Sequence, residues 1–266
     1  PESVTATTPI KGGPIIKLLE KFVTKVYSRS DLILVQSKSF KDSICAKGDF
    51  KDKLVFAPNW AEASFIDADT SVDESFPLQP AEDEFRVMFA GNIGEAQDFG
   101  NIIKAANLCK DIPQIKWIVV GDGRAREESE KEVARLGLTD TVKFLGRHPV
   151  TSMPKFFAQA DAMLVTLKDE FIFSLTIPSK TQAYMVSGKP ILTMLNGAGS
   201  DVVIEAQCGL TAKSEDYEAL AANVKKMYGM SKEEIRQMGE NAKAYYMKYF
   251  EKEMVIDRVN EILNRK

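Results

Sequence analysis

Apolar residues follow two different patterns in the larger, C-terminal part of this chain. Short runs of consecutive apolar residues alternate with segments in which apolar residues recur every three or four positions. A short, continuously apolar run is typical of a buried strand, and the longer spacing is typical of an amphipathic helix. The patterns predict strands at 85–90, 115–120, 142–145, 162–166, 190–194 and 210–212, and helices at 98–109, 125–136, 152–159, 179–187 and 201–206.

The regular alternation of short strands with helices predicts βαβ crossovers. Such crossovers produce parallel strands whose sheet is covered by helices on both faces. We therefore predict an α/β fold between residues 85 and 230, with a doubly wound, Rossmann-like parallel sheet of about six strands. Two further helical segments, 217–227 and 232–264, follow the last predicted strand.

The first 62 residues repeat this alternation on a smaller scale. Helical spacing at 15–29 and 39–46, with apolar runs at 31–36 and 53–57, predicts part of a second α/β unit that is too small to be a domain alone. Residues 63–84 contain seven acidic side chains and two prolines without periodicity, which is typical of a linker. Because the chain starts with Pro1 rather than methionine, we expect it to be part of a longer protein.

Composition and charge narrow the classes of function. Hydrophobic residues make up 44% of the 266 residues, and 35 basic against 38 acidic side chains leave a net charge of −3. This balance has no positive excess for a phosphate backbone, so we expect no nucleic-acid partner. The single histidine excludes a His-rich metal site. The three cysteines form no CxxC pair, which favours a reducing, cytoplasmic location.

The loop after the first strand of the predicted sheet is a candidate anion site. Ligands of open parallel sheets bind at the carboxyl ends of the strands, so the loops that follow the strands hold the candidate chemistry. Here Gly91 and Gly94 precede a helix, where the backbone could approach an anion and N–H groups would point at it. A glycine turn that only joins strand to helix is the alternative.

A second candidate lies at the start of the helix predicted at 179–187. Pro178 suits the first turn of a helix, and Ser179 and Lys180 follow it at the positive end of the helix dipole. Lys180 could therefore meet a phosphate group that the helix terminus already favours. A solvated surface lysine is the alternative.

Three other features favour structural explanations. The loop at 119–124 would need a glycine where Arg126 stands to form a dinucleotide fingerprint, so a close-packed turn is favoured. Asp67 and Asp69 have the DxD form of metal-dependent sugar transferases but lie in the acidic linker, so we expect no metal site there. His148 has no evident partner as a catalytic base, and we expect it to line a cleft or to lie at the surface.

Six segments occur in an order that resembles a known family. The donor-binding half of glycosyltransferase family 4, with its two-domain GT-B architecture, has similar segments, and the fucosamine-transferase-like enzymes of bacterial capsule and O-antigen synthesis are the most similar branch. The match continues upstream in 31–37 and 58–60. The segments are Phe-Ala-Gly-Asn-Ile-Gly-Glu-Ala-Gln (89–97), Val-Gly-Asp-Gly (120–123), Phe-Leu-Gly (144–146), Ile-Pro-Ser-Lys (177–180), Ala-Tyr-Met-Val-Ser-Gly-Lys-Pro-Ile (183–191) and Cys-Gly-Leu (208–210).

The resemblance implies a domain division and a set of site residues. Residues 1–62 would be the remnant of the acceptor domain, 63–84 the linker, 85–230 the nucleotide-sugar domain and 231–266 helices that return toward the N-terminal part. The catalytic residue would be Lys180. The implied diphosphate contacts are Gly91, Asn92, Gly94, Gln97, Ser179 and Lys180, the nucleoside contacts are Gly121, Arg147, His148, Gln182 and Glu205, and the sugar contacts are Glu170 and Gly197.

The chain also departs from the family pattern. Many members have an arginine and a lysine where Asn92 and Gln97 stand, so Lys180 and backbone N–H groups would bear more of the diphosphate charge. The glutamate that is expected to hold the ribose is replaced by Ala183. Gln182, Glu205 or Glu170 could substitute for it.

The resemblance implies a retaining, metal-independent glycosyltransferase without a cofactor. Its donor would be a nucleoside diphosphate sugar, with UDP favoured over GDP and an N-acetylated amino sugar expected, and its acceptor a glycan or a lipid-linked glycan. Fixed donors and one lysine would stabilise the charge that grows on the departing diphosphate. A sugar-nucleotide 2-epimerase and a non-catalytic nucleotide-sugar-binding module remain alternatives. Most of the acceptor domain is absent, so we expect this chain to bind donor without turnover.

The helix predicted at 15–29 raises the question of a membrane contact. Lys17, Lys21 and Lys25 lie away from its apolar positions, and such a lysine face could rest peripherally on the inner, anionic surface of the cell membrane. Packing of the helix against the rest of the N-terminal domain is the favoured explanation.

Overall fold

The computed structural model describes Val4 and residues 12–264. The strands are β1 (Ile33–Val35), β2 (Leu54–Phe56), β3 (Phe85–Ala90), β4 (Ile115–Val120), β5 (Val142–Gly146), β6 (Ala162–Thr166), β7 (Ile191–Met194) and β8 (Gly209–Ala212). The helices are α1 (Pro14–Arg29), α2 (Phe40–Cys45), α3 (Phe99–Leu108), α4 (Arg126–Arg135), α5 (Met153–Ala158), α6 (Phe171–Ser174), α7 (Ser179–Val186), α8 (Ala198–Glu205), α9 (Tyr217–Tyr228), α10 (Lys232–Tyr249) and α11 (Lys252–Asn264).

Strands β3 to β8 form one parallel sheet in the order β5-β4-β3-β6-β7-β8. The chain winds outward from β3 to β5, returns to the centre and winds outward again from β6 to β8. The order therefore reverses between β3 and β6. In open α/β sheets the loops at such a reversal enclose the ligand, which makes the carboxyl ends of β3 and β6 the place to look for a site.

Successive side chains of the central strand β3 enter two different cores. Phe85, Val87 and Phe89 pack in a core with α3 and α9, whereas Met88 and Ala90 pack in a second core with α5, α7, α8 and α10. A strand whose two faces are both buried is mostly apolar, and five of the six residues at 85–90 are; the exception is Arg86 near its start, whose Nε pairs with Glu84 at 2.7 Å. The prediction of a doubly wound parallel sheet is confirmed.

The largest differences from the predicted elements lie at helix ends. α8 begins three residues before the predicted helix at 201, because Gly197 has a φ of 73° and turns the chain directly into it. The C-terminal stretch is interrupted after α10, where the side chain of Glu251 accepts hydrogen bonds from the backbone N–H groups of Glu253 and Met254 at 3.1 and 2.8 Å. Those bonds cap a new helix rather than continuing the old one. The short helix α6 was not predicted.

The N-terminal part contains the parallel pair β1–β2 with α1 and α2. Its small core consists of Ile33, Val35, Ile44 and Phe50. The outer face of α1 is apolar and exposed, with Leu18 and Phe22 at 68% and 62% exposure. Within Val4 and residues 12–264, no helix is both long enough and apolar enough to cross a membrane.

Several contacts join the N-terminal part and the following segment to the large sheet. The rings of Phe65 and Phe76 pack on the rings of Phe157 and Phe156, with centroids 5.5 and 4.5 Å apart. The backbone N–H of Ala61 donates to the hydroxyl of Tyr246 on α10 at 3.2 Å. The apolar side chains of the proposed linker therefore pack on the large domain. The predicted domain boundaries stay a prediction.

Candidate functional site

Two glycine loops at the carboxyl ends of β3 and β4 lie in backbone contact. A Cβ atom on Gly121 would stand 1.9 Å from the carbonyl oxygen of Gly91, and one on Gly123 would stand 2.3 Å from that of Ile93. Both glycines also have positive φ angles, 142° and 157°, which other residues rarely adopt. Close approach of the two backbones thus explains why glycines occupy positions 121 and 123. This agrees with the close-packed turn that the sequence favours.

Most N–H groups of the first loop are already engaged. Gly91 N–H donates to Val120 at 2.9 Å, Ile93 N–H to Asp122 at 2.9 Å, and Gly94 N–H to the side-chain oxygen of Gln97 at 3.1 Å. The free N–H groups that the sequence predicts for an anion at this helix start therefore do not include those of Gly91, Ile93 and Gly94. Because those donors are used within the protein, side chains must supply more of any contact with an anion.

Asn92 and Gln97, which stand where many family members have charged residues, contact each other. Asn92 Nδ2 lies 3.4 Å from Gln97 Oε1, and the backbone oxygen of Gln97 accepts from the Thr166 hydroxyl at 2.5 Å. The latter bond ties the loop after β3 to the end of β6. The structure thus brings Asn92 and Gln97 to the point where the strand order reverses.

Lys180 has a buried amine beside these loops that has no hydrogen-bond partner among the described residues. Its Nζ is buried without a hydrogen bond, lies 3.7 Å from the centroid of the Phe89 ring, and stands 3.3 Å from the position of a Cβ on Gly91. Burial lowers the pKa of Lys180 from 10.5 to about 7. An ammonium removed from water without a counter-charge is costly, so this amine favours either neutrality or an anionic ligand.

The start of α7 explains how Lys180 reaches this place. Pro178 precedes the helix, and Ser179, its first residue, is exposed. The hydroxyl of Tyr184, one turn further along, donates to Ala90 O at 3.0 Å and accepts from Ala90 N–H at 2.9 Å. α7 is thereby held against the end of β3, which places its first turn beside the first glycine loop.

A cleft of about 770 Å³ opens beside the glycine loops over the ends of β3, β4 and β5. It contains three of the predicted nucleoside residues. His148 is anchored there, with Nε2 3.0 Å from Leu145 O and its ring 4.7 Å from that of Phe156, whereas Arg147 is exposed and able to reach a ligand. The cleft is lined by Gly91, Asn92, Val120, Gly121, Asp122, Gly123, Arg124, Arg147, His148 and Met153.

Two other predicted nucleoside residues lie elsewhere. Gln182 is fully buried in α7. With its amide group turned so that both hydrogen bonds form, the side-chain nitrogen donates to the carbonyls of Pro178 and Ser179 at 3.0 and 3.1 Å. Glu205, at the end of α8, accepts from the Tyr245 hydroxyl at 2.8 Å and lines a separate cavity of about 330 Å³. Their positions do not favour the nucleoside role that the resemblance implied.

The predicted sugar residues, Glu170 and Gly197, lie in the loops that follow β6 and β7. A Cβ on Gly197 would stand 2.1 Å from the carbonyl oxygen of Ser174, the last residue of α6, and Glu170 immediately precedes that helix. Asp169 and Asn196, which the sequence did not single out, are joined there by a bond of 2.9 Å. Asp169 lies three residues after β6 and Asn196 two residues after β7, and this position behind a buried strand was the available signal.

The DxD segment shows no sign of a metal site. Asp69 accepts a hydrogen bond from Ser71 N–H at 2.9 Å, which is the geometry of a turn, and Asp67 lies 3.9 Å from Lys243 Nζ. Across the part of the chain that the structure describes, no three His, Cys, Asp or Glu side chains are grouped to hold a metal ion.

Comparison with known families decides the relationship. A family described as "Glycosyl transferases group 1" matches residues 72–245, which is more than half of the chain. The chain belongs to this family. The matched range contains the whole six-stranded sheet, both glycine loops and Lys180. The resemblance to GT-B glycosyltransferases is therefore confirmed.

Two curated members of the family are similar over most of the chain. A probable glycosyltransferase, WbjE of Pseudomonas aeruginosa, is 29% identical over 83% of this chain and 56% of its own length. A putative colanic acid biosynthesis glycosyl transferase, WcaI of Escherichia coli K12, is 27% identical over 81% of this chain and 54% of its own length. The chain thus spans about half the length of the curated relatives it matches.

Solved structures share the fold. Anabaena HepE, solved in complex with UDP-glucose, superposes with a TM-score of 0.76 at 18% identity, over 97% of this chain and 70% of HepE. A mutant of Staphylococcus aureus TarM, solved with UDP among its ligands, gives 0.73 at 15% identity, over 92% of this chain and 46% of TarM. At these identities the match shows the fold alone.

Proposed function

We propose that this chain is the donor-binding half of a glycosyltransferase that transfers a sugar from a nucleoside diphosphate to a glycan or lipid-linked acceptor. The observation that carries the proposal is the buried, unpartnered amine of Lys180 at the point where the strand order reverses. A diphosphate there would provide the counter-charge that the protein does not. As the leaving group gains negative charge, a lysine already in place would stabilise it without reorganisation.

The nucleoside would lie in the 770 Å³ cleft beside Lys180. In this arrangement Gly121 allows the loop after β4 to lie against the loop after β3, while Arg147 and His148 face the base or ribose. Arg124, from the loop after β4, is a further candidate because it lines the same cleft. We favour UDP over GDP, which is supported by structural relatives solved with UDP.

The transferred sugar would extend in the other direction, over the ends of β6 and β7. Glu170 is a candidate to contact sugar hydroxyl groups, and Gly197 keeps the loop close to α6. We further propose that the sugar is an N-acetylated amino sugar, that its anomeric configuration is retained and that no metal is required. The names of WbjE and WcaI support a role in the synthesis of a cell-surface polysaccharide.

We also propose a cytoplasmic location, with peripheral contact to the inner face of the cell membrane. A peripheral membrane contact would use Lys17, Lys21 and Lys25 of α1. Charge reversal of these three lysines in the full-length protein, followed by sedimentation with anionic vesicles, tests it. Unchanged binding to the vesicles would exclude a contact through this face.

The proposed diphosphate position is tested by titration calorimetry with UDP and uridine on Lys180→Met. A charge-assisted contact with a phosphate is worth ~1.5–3 kcal/mol, so affinity for UDP should fall roughly 10- to 150-fold while affinity for uridine stays nearly unchanged. Lys143→Met, which removes an exposed lysine of β5, is the matched control and should change neither. Equal losses for UDP and uridine would mean that the diphosphate lies elsewhere.

Activity is tested separately in the full-length protein. UDP- and GDP-sugars, each with and without a lipid-linked acceptor, should give transfer only when acceptor is present. Isomerisation of the sugar without an acceptor would indicate an epimerase, and binding without any reaction would indicate a non-catalytic module.

A further inference from the structure

Lys180 is a basic group that forms no ion pair with a carboxylate among the described residues. The ring of Phe89 lies beneath its Nζ, the backbone of Gly91 passes beside it, and Nζ makes no hydrogen bond. An aromatic face attracts a cation only weakly compared with the hydration that burial removes. The protein alone therefore stabilises the charged form of this amine poorly.

No charged neighbour alters this balance. Burial alone lowers the pKa of Lys180, without a contribution from any carboxylate or other cation among the described residues. Tyr184, on the next turn of α7, is bonded to Ala90 and has its pKa raised by burial, so it stays neutral. Asn92 and Gln97, on the facing loop, are neutral amides that contact each other.

We propose that Lys180 is an uncharged amine in the empty site and takes up one proton from solvent as the donor diphosphate binds, so that donor binding is coupled to protonation of this residue. The inference rests on the proposed function, since the diphosphate supplies the counter-charge. The lone pair of Nζ accepts the proton, and the resulting ammonium donates to phosphate oxygens. No bond of the donor is formed or broken.

The coupling has a defined pH window. With the pKa of free Lys180 at about 7, the amine is mostly neutral above neutrality and mostly protonated below it. A bound diphosphate raises this pKa again, toward or above the ordinary value. Donor affinity should therefore decrease as the pH rises above ~7, by up to tenfold per pH unit until the pKa of the complex is reached.

Calorimetry in buffers with different heats of ionisation counts the protons directly. UDP-glucose and GDP-glucose are suitable probes because both phosphates of each are esterified and do not titrate near neutrality. We expect uptake of ~0.9 proton at about pH 8 and ~0.25 proton at about pH 6.5 with the sugar nucleotide that binds.

Three variants assign the proton to its residue. Lys180→Met should bind more weakly with no proton uptake, whereas Lys180→Arg, which stays charged, should bind without uptake at either pH. Lys189→Met is the matched control, because Lys189 is also buried with a lowered pKa but lies at the opposite end of the sheet, and it should keep the wild-type uptake. Circular dichroism confirms that each variant is folded.

The outcomes separate this inference from the proposed function. Wild-type binding without proton uptake at about pH 8 would overturn the coupling and leave the donor site in place. The coupling would equally be overturned by undiminished uptake in folded Lys180→Met. If neither sugar nucleotide bound the wild-type protein, both the donor site and the coupling would be wrong. Should Lys180→Met fail to fold, the wild-type proton count at the two pH values still decides.

Discussion

The two ends of the six-stranded sheet each hold a partly buried lysine, and the two lysines differ in what surrounds their amines. At the amino end, Lys189 Nζ donates to Ala158 O and Ala160 O at 2.9 and 2.7 Å, and the charge of Asp161 opposes the lowering of its pKa by burial. At the carboxyl end, Lys180 Nζ has no hydrogen-bond partner among the described residues, and no charge there opposes the lowering of its pKa.

The contrast supports the proposal that Lys189 is structural and that Lys180 contacts a ligand. The larger opening, about 1090 Å³, lies at the amino end next to Lys189, and the opening of about 770 Å³ lies at the carboxyl end. Size alone would therefore select the amino end, which differs from the proposed site. The unsatisfied amine selects the end where parallel sheets bind ligands, because only an added partner offsets its desolvation.

The largest effect should come from filling the contact between the glycine loops. Gly121→Val would place a side chain on the carbonyl of Gly91 at a backbone angle that valine rarely adopts. We expect a loss of at least ~3 kcal/mol in the free energy of unfolding, measured in urea, together with loss of UDP binding.

Gly137→Ala is the matched control for that change. Gly137 also has a positive φ, 68°, but a Cβ there would meet nothing within 4 Å. It should cost only ~1 kcal/mol and leave UDP binding intact. Similar losses for both variants would show that backbone angle, rather than contact between the loops, governs the site.

The second effect concerns stability and pH at the carboxyl end. Burial lowers the pKa of Lys180 to about 7 in the folded protein, whereas the unfolded chain keeps the ordinary 10.5. Between these values the unfolded state binds more protons, so the free energy of unfolding should rise with pH. We expect wild type to gain ~2–4 kcal/mol relative to Lys180→Met between about pH 6.5 and pH 9.5. Parallel pH profiles for the two proteins would contradict the low pKa.

The third effect concerns Lys189 at the amino end, where we expect stability to change and UDP binding to stay nearly the same. Lys189→Met would leave the carbonyls of Ala158 and Ala160 without their donor and remove the counter-charge of Asp161. We expect a loss of ~1–3 kcal/mol in stability and a change of less than about twofold in UDP affinity. A large loss of affinity with unchanged stability would mean that the amino end, not the carboxyl end, carries the site.

The smallest effect should be a gain. Asn92→Arg would add a charge at the loop that faces Lys180, and we expect UDP to bind ~3- to 10-fold more tightly at moderate salt, since each factor of ten is about 1.4 kcal/mol. Asn241→Arg, on α10 and away from the cleft, controls for a general change of protein charge. Tighter binding in both variants would assign the effect to net charge alone.

Much of the fold could be predicted because it follows from local patterns. The strands β3, β4 and β6 have the predicted limits, since each is a short and mostly apolar run. The two-faced burial of β3 follows from the same pattern. Helix ends were less accurate, because bonds such as those of the Glu251 side chain decide them and leave little trace in periodicity.

The site could be predicted only in part. The sequence places Gly91, Lys180 and His148 at strand and helix ends, which topology then brings to one edge of the sheet. It does not reveal that Phe89 lies under the amine or that Gln182 faces inward toward the carbonyls at the start of α7. Those facts depend on how α7 packs across β3, which is a contact between residues far apart in the chain.

The interlocked glycine loops also bear on how this protein can be altered. Because a single methyl group on Gly121 would collide with Gly91, neither loop can change by itself, and the floor of the cleft has almost no mutational freedom. The walls are different, since Arg124, Arg147 and Met153 line the same cleft with side chains rather than backbone. A combinatorial library aimed at a new nucleotide base should therefore vary these three positions and keep both glycines constant.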